Sequence, residues 1–173
     1  MAPERPRRRG TVRSGAAVCT GRACVAAIRH SGWVDTHGCL TRADFGKLTP
    51  VPQPVVIPAP GRIWTAGEWD LIRRGHRSAD MDDKWHAFVE GRRLFLYRSW
   101  TGLGVYEAEF AQAGGGWRII AAVVAGDHDS YRRQGDDYES ALLEAVIEWV
   151  LLGVSGGPGA QRWHRARGDR HRQ

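Results

Sequence analysis

The stretch Met81–Gly104, MDDKWHAFVEGRRLFLYRSWTGLG, decides how this chain is read. Two runs, 84–90 and 93–99, flank a turn at Glu90-Gly91-Arg92. A short Gly-containing connection between two such runs predicts a β-hairpin. In an antiparallel pair the start of the first strand lies beside the end of the second. Asp82, Asp83, Lys84 and Trp85 are therefore expected to meet Arg98, Ser99, Trp100, Thr101 and Gly102. Counting outward from the turn sets Trp85 opposite Arg98, Lys84 opposite Ser99 and Asp83 opposite Trp100. Asp83 and Arg98 become diagonal neighbours, close enough for a salt bridge, and Arg98 can lie over the Trp85 ring.

Working outward, 104–111 alternates Val105, Glu107 and Glu109 against Tyr106, Ala108 and Phe110, a half-buried strand with an acidic outer face. Gly114-Gly115-Gly116 supplies a turn, and WRIIAAVV over 117–124 reads as a continuous buried strand. Upstream, Thr65 and Glu68 have the spacing of a capping box, and Arg73, Arg74 and Gly75 are stop signals, which predicts a helix over 66–74. Downstream, Asp136 or Asp137 starts a helix over about 137–152. Leu142, Ala145, Val146, Trp149 and Val150 share one of its faces, widened by Leu143, Ile147 and Leu151. The expected fold class is α+β: an antiparallel β-meander of about four strands in the order α-β-β-β-β-α, its C-terminal helix packed on one face.

The ends differ from this middle. Residues 1–60 carry a charge balance of +6 and 153–173 one of +4, so 61–152 is at −4 within a chain of +6. The basicity therefore argues against a dedicated nucleic-acid domain and for tails that contact polyanions without specificity. Residues 1–55 are expected to be a disordered basic and Pro-rich extension, or upstream sequence from a mis-assigned start, because no Met lies between Met1 and Met81. The domain is expected over 56–153, followed by a disordered tail over 154–173 with Trp163 unpacked. Cys19, Cys24 and Cys39 are too few and too irregular for a disulfide framework. With His37 they make an atypical zinc spacing, so no metal or cofactor is expected. No apolar run approaches the ~18–20 residues of a membrane span, which makes a cytoplasmic protein the default.

MDDKW and RSWTG carry a resemblance. They are similar to the signature of a family of small bacterial proteins, a domain of unknown function. The likeness runs from about Arg62 to Leu152 and places Asp82, Asp83, Lys84, Trp85, Arg98, Ser99, Trp100, Thr101 and Gly102 at motif positions. The resemblance implies a fold unit and an association with ADP-ribose-processing macro domains, not a mechanism. His86 and Ala87 depart from the more aromatic first strand of that family.

Two functional readings follow, beside a third in which the charges only fix the hairpin register. In one the chain is a non-catalytic binding or interaction module. Asp83, Lys84, Trp85, Arg98, Ser99, Trp100 and Thr101 form its ligand surface: cations for an anion, hydroxyls as donors, indoles for stacking. Its partner would be a small anionic, nucleotide-like ligand or a protein. In the other the chain is a small hydrolase acting on a phosphorylated or ADP-ribosyl substrate. His128 between Asp127 and Asp129 is an acid-base fragment, or simply a turn. P-loop, Rossmann, nucleophile-elbow and H-E-x-x-H patterns are absent.

Overall fold

The computed structural model describes residues 38–170. The expectations for 1–37, including most of the Cys19, Cys24, His37 and Cys39 set, fall outside these residues. Five strands form one antiparallel sheet: β1 (Pro54–Ile57), β2 (Trp85–Glu90), β3 (Arg93–Arg98), β4 (Gly104–Ala113) and β5 (Gly116–Ala125). Their order is β1-β5-β4-β3-β2, so the last four are a meander and β1 returns to its far edge. Three helices complete the fold: α1 (Ala66–Arg74), α2 (Asp136–Val146), extended by a π-helical turn Ile147–Leu151, and α3 (Pro158–Arg170).

The local signals set these elements. Thr65 and Glu68 close the capping box, the Glu68 N–H donating to Thr65 Oγ1 at 3.2 Å and the Thr65 N–H to Glu68 at 2.7 Å. Gly75 follows α1 at a φ of 75°, a conformation that disfavours any residue with a Cβ. The β2–β3 register is the expected one, from Glu90 opposite Arg93 to Trp85 opposite Arg98. In the β4–β5 ladder the pairing slips between Glu109 and Phe110 of β4. Ile119 then faces Phe110 and Ala121 faces Glu109, which leaves Ile120 without a partner and 47% exposed. The run WRIIAAVV is thus not buried throughout.

One face of the sheet carries the main core. Trp64, Trp69 and Ile72 from around α1, and Leu143, Val146 and Ile147 from the last helix, pack on Leu94, Leu96, Tyr106, Ala108, Phe110 and Val124. On the other face, residues before β1 cover β2 and β3, where Phe45, with Leu40 and Leu48, packs on Phe88, Phe95 and Tyr97, and they reach the start of β4 at Gly104. Part of the expected N-terminal extension is therefore an ordered layer of the domain. Pro54 sits where a strand tolerates proline, at its first residue on a sheet edge.

The tail over 154–173 is the largest departure. Pro158–Arg170 forms α3, which lies along α2. Trp163 packs edge-on against Trp149, with ring centroids 5.3 Å apart, and lies 6.2 Å from Tyr138. α3 covers Glu144 of α2 and Glu148 of the π-helical turn, which are buried together with Glu139 and Ser140, whereas Leu142, Trp149 and Val150 remain half-buried.

Candidate functional site

The hairpin mouth is assembled by the β2–β3 register and by a loop that folds back along the outer edge of β2. His76 and Ala87 exchange backbone hydrogen bonds at 2.8 Å, which sets residues 76–83 beside the start of β2. The Asp82 and Asp83 N–H groups donate to Asp80 Oδ1 at 2.9 and 3.0 Å, and Ser78 Oγ donates to the Asp83 carbonyl at 2.8 Å. These local bonds aim Asp83 at His76, whose Nε2 lies 2.5 Å from Asp83 Oδ2. The expected Asp83–Arg98 salt bridge is not formed: the short link to the 76–83 loop wins over the diagonal cross-strand partner.

Arg98 is free of acidic partners among the described residues. Its guanidinium carbon lies 4.3 Å from the Trp85 ring centroid and 5.9 Å from that of Tyr131. Trp85 is buried and Arg98 half-buried, so the cation rests on an aromatic floor at the rim of the main core. Lys84, the residue just before β2, is exposed and also without an ion pair among the described residues. Lys84 and Ser99 stand just outside the paired strands, and the Ser99 N–H donates to the Lys84 carbonyl at 3.1 Å.

The two hydroxyls serve the local backbone. Ser99 Oγ donates to the Asp83 carbonyl at 2.7 Å, and Thr101 Oγ1 accepts from the Leu103 N–H at 3.2 Å. Trp100 is 59% exposed, yet its Nε1 donates to the carbonyl of Met81, itself exposed, at 2.9 Å, which holds the indole in place. Gly102 completes the turn at a φ of 65°, pressed so close to the Lys47 carbonyl that a Cβ has no room.

Behind this mouth lies a polar core that the sequence reading did not single out. Glu139 is fully buried, and its Oε2 accepts from the hydroxyls of Tyr106 and Tyr131, the latter at 2.9 Å. Its Oε1 accepts from the Gln134 N–H at 2.6 Å. Burial first, then the neighbouring carboxylate, pushes the Tyr131 phenol far above its ordinary value near 10. Tyr106 is raised too, by burial and by the Tyr131 and Glu139 charges. Tyr131 thereby links the Arg98 cation to the Glu139 carboxylate. Glu148, also buried, accepts from Arg62 and from the Gly159 and Ala160 N–H groups at 3.0 Å each, so a carboxylate seats the start of α3. Glu144 pairs with Arg162 of α3.

Around His128, Asp127 accepts from Ser130 Oγ at 2.5 Å and from the Asp129 N–H at 3.4 Å, and these bonds, Ser130's foremost, hold its carboxyl below the usual range. This is a turn, and His128 is exposed on it. Among the described residues no group of three or more His, Cys, Asp or Glu side chains is placed to hold a metal ion. No helix among them is long and apolar enough to cross a membrane. A cleft between α2 and α3 and a shallow one over Glu107 and Glu109 are lined by none of the mouth residues. The chain matches no known protein-family model, no curated protein and no solved structure.

Proposed function

We propose that this chain is a non-catalytic binding module whose hairpin mouth takes an anionic ligand with a planar group, of nucleotide type. The observation that carries this reading is Arg98: a half-buried guanidinium on the Trp85 ring, with no carboxylate to neutralise it among the described residues. A guanidinium so placed keeps its fork of donors for a phosphate or carboxylate while the ring limits its freedom. Trp100, exposed and fixed through its Nε1, offers a stacking plane that has already lost most of its side-chain freedom. Ser99 and Thr101 act as positioning groups for the turn rather than as ligand donors.

The hydrolase alternative has weaker support. His76 and Asp83 form a close pair, but the single proton of the Ser78 hydroxyl beside them is shared between the Asp80 and Asp83 carbonyls, each at 2.8 Å, rather than given to a base. The same proposal carries the family likeness at MDDKW and RSWTG, its link to ADP-ribose-processing macro domains in bacteria, and a cytoplasmic setting; its support there is the resemblance of those motifs.

The test is a thermal-shift screen of the full chain against ADP, ADP-ribose and inorganic phosphate, because a ligand that binds only the folded state raises Tm by mass action. A shift seen with the native chain and lost in Arg98→Met supports the reading. Turnover of ADP-ribose by the native chain, lost in His76→Ala, would replace it with the hydrolase.

A further inference from the structure

We propose that the cleft between α2 and α3 binds a small zwitterion carrying a carboxylate and an ammonium group, the α-amino acids being the simplest class. The cleft has a volume of about 260 Å³ and is lined by Asp137, Ser140 and Ala141 of α2 and by Arg162, Arg165 and Ala166 of α3. Ala141 and Ala166 are too short to fill the space between the two helices. The cleft is separate from the hairpin mouth and independent of the function assigned there.

The charges on its walls are of both signs and are not used up by one another. Arg162 is held by Glu144, the buried carboxylate beneath it. That contact is an ion pair without hydrogen-bond geometry, and the Nε and Nη2 of Arg162 are both buried without a hydrogen-bond partner. Asp137 and Arg165 are exposed, and neither has an ion pair among the described residues, although both line the same cleft. Asp136, beside Asp137, differs in this respect, since it pairs with Arg133. Ser140 is only 8% exposed and its hydroxyl has no hydrogen bond among the described residues.

This arrangement discriminates between ligands by charge. A simple anion meets the Arg165 and Arg162 guanidiniums but also the Asp137 carboxylate, whereas a simple cation meets Asp137 but faces two guanidiniums. A molecule with one charge at each end satisfies both walls, its carboxylate toward Arg165 and its ammonium toward Asp137, with the Ser140 hydroxyl able to donate to one or accept from the other. Burial and the nearby Arg165 charge lower the Arg162 pKa, a strain that a bound carboxylate relieves.

The experiment is calorimetric titration and thermal shift of the full chain with L-alanine, L-glutamate and L-lysine, with propionate and ethylamine as single-charge controls. At least one amino acid is expected to bind and raise Tm while neither control does. Affinity should fall by about tenfold or more in Asp137→Asn and in Arg165→Gln, as the loss of one charged contact implies. Both residues are exposed, so the unliganded variants should melt close to the native chain; Ser140→Leu, which fills the cleft, should abolish binding as well. Binding of propionate as tightly as an amino acid, an Asp137→Asn variant that binds undiminished, or no response to any amino acid would each overturn the proposal.

Discussion

The hairpin mouth and the interior of α2 are built from the same kinds of groups, carboxylates, guanidiniums and aromatic rings, and use them in opposite ways. Under α2 every glutamate is buried and matched: Glu139 by two phenols and a backbone N–H, Glu144 by Arg162, Glu148 by Arg62 and the start of α3. At the mouth Arg98 and Lys84 carry charges that no described carboxylate answers, and Trp100 stands in solvent. A buried charge with all its partners in place is committed to holding the chain together, because removing one partner leaves an uncompensated ion. A rim cation without a partner contributes little to folding and remains available to something else.

The sharpest way to break this contrast is Glu148→Gln. It removes the charge facing Arg62 and weakens the seat of α3, so chemical denaturation should show a loss of roughly 3–5 kcal/mol, the range for disrupting a buried ion pair. A loss under about 1 kcal/mol would mean that the α2–α3 interface is not held by its glutamates.

Tyr131→Phe should come next, with a loss of roughly 1–3 kcal/mol for taking a donor from buried Glu139. Its pH dependence sharpens the point. A phenol whose folded pKa lies above its unfolded value gives stability that is complete below the ordinary value near 10 and is lost as pH rises from there toward the folded value. The native chain should therefore lose stability as pH rises above about 10, and Tyr131→Phe should lose it less steeply; parallel slopes would remove the phenol from the account.

Arg98→Met should cost no more than about 1 kcal/mol, the middle of the cation–π range for a half-exposed site. Asp83→Asn should have the smallest effect, under about 1 kcal/mol, since its pair with His76 is partly exposed. In double-mutant cycles the coupling should appear between Asp83 and His76, and the Asp83 and Arg98 substitutions should add.

What the sequence reveals follows the same division. The β2–β3 register and α1 are legible because they rest on local rules: a Gly turn flanked by strand-forming runs, and Thr65 three residues before Glu68. The mouth residues are legible for the same reason, as register alone puts Arg98 over Trp85. The Asp83 partner is not, because the backbone turn at Ser78–Asp83 has no period to read. β1 is hidden among prolines, whose extended preference is shared by polyproline and by edge strands. α3 is hidden by Gly and Arg, and its one local sign is Pro158 at the first helical position. Its stability comes from Trp163 against Trp149 and from Glu148 at its start, contacts that join distant parts of the chain. The apolar stripe of the last helix gives no reason for Glu139, Glu144 and Glu148 to be buried; α3 and the Tyr106–Tyr131 pair supply it.

The most direct test of the mouth as the binding surface is a nuclear magnetic resonance titration of the isotope-labelled full chain, using whichever of ADP, ADP-ribose or inorganic phosphate raises its Tm. The account predicts that shift changes concentrate on the Trp85 and Trp100 indoles, the Arg98 side chain and the Ser99–Gly102 backbone, while the resonances of α2 and α3 stay in place. Changes confined to α2 and α3, or no response to any of the three compounds, would contradict it.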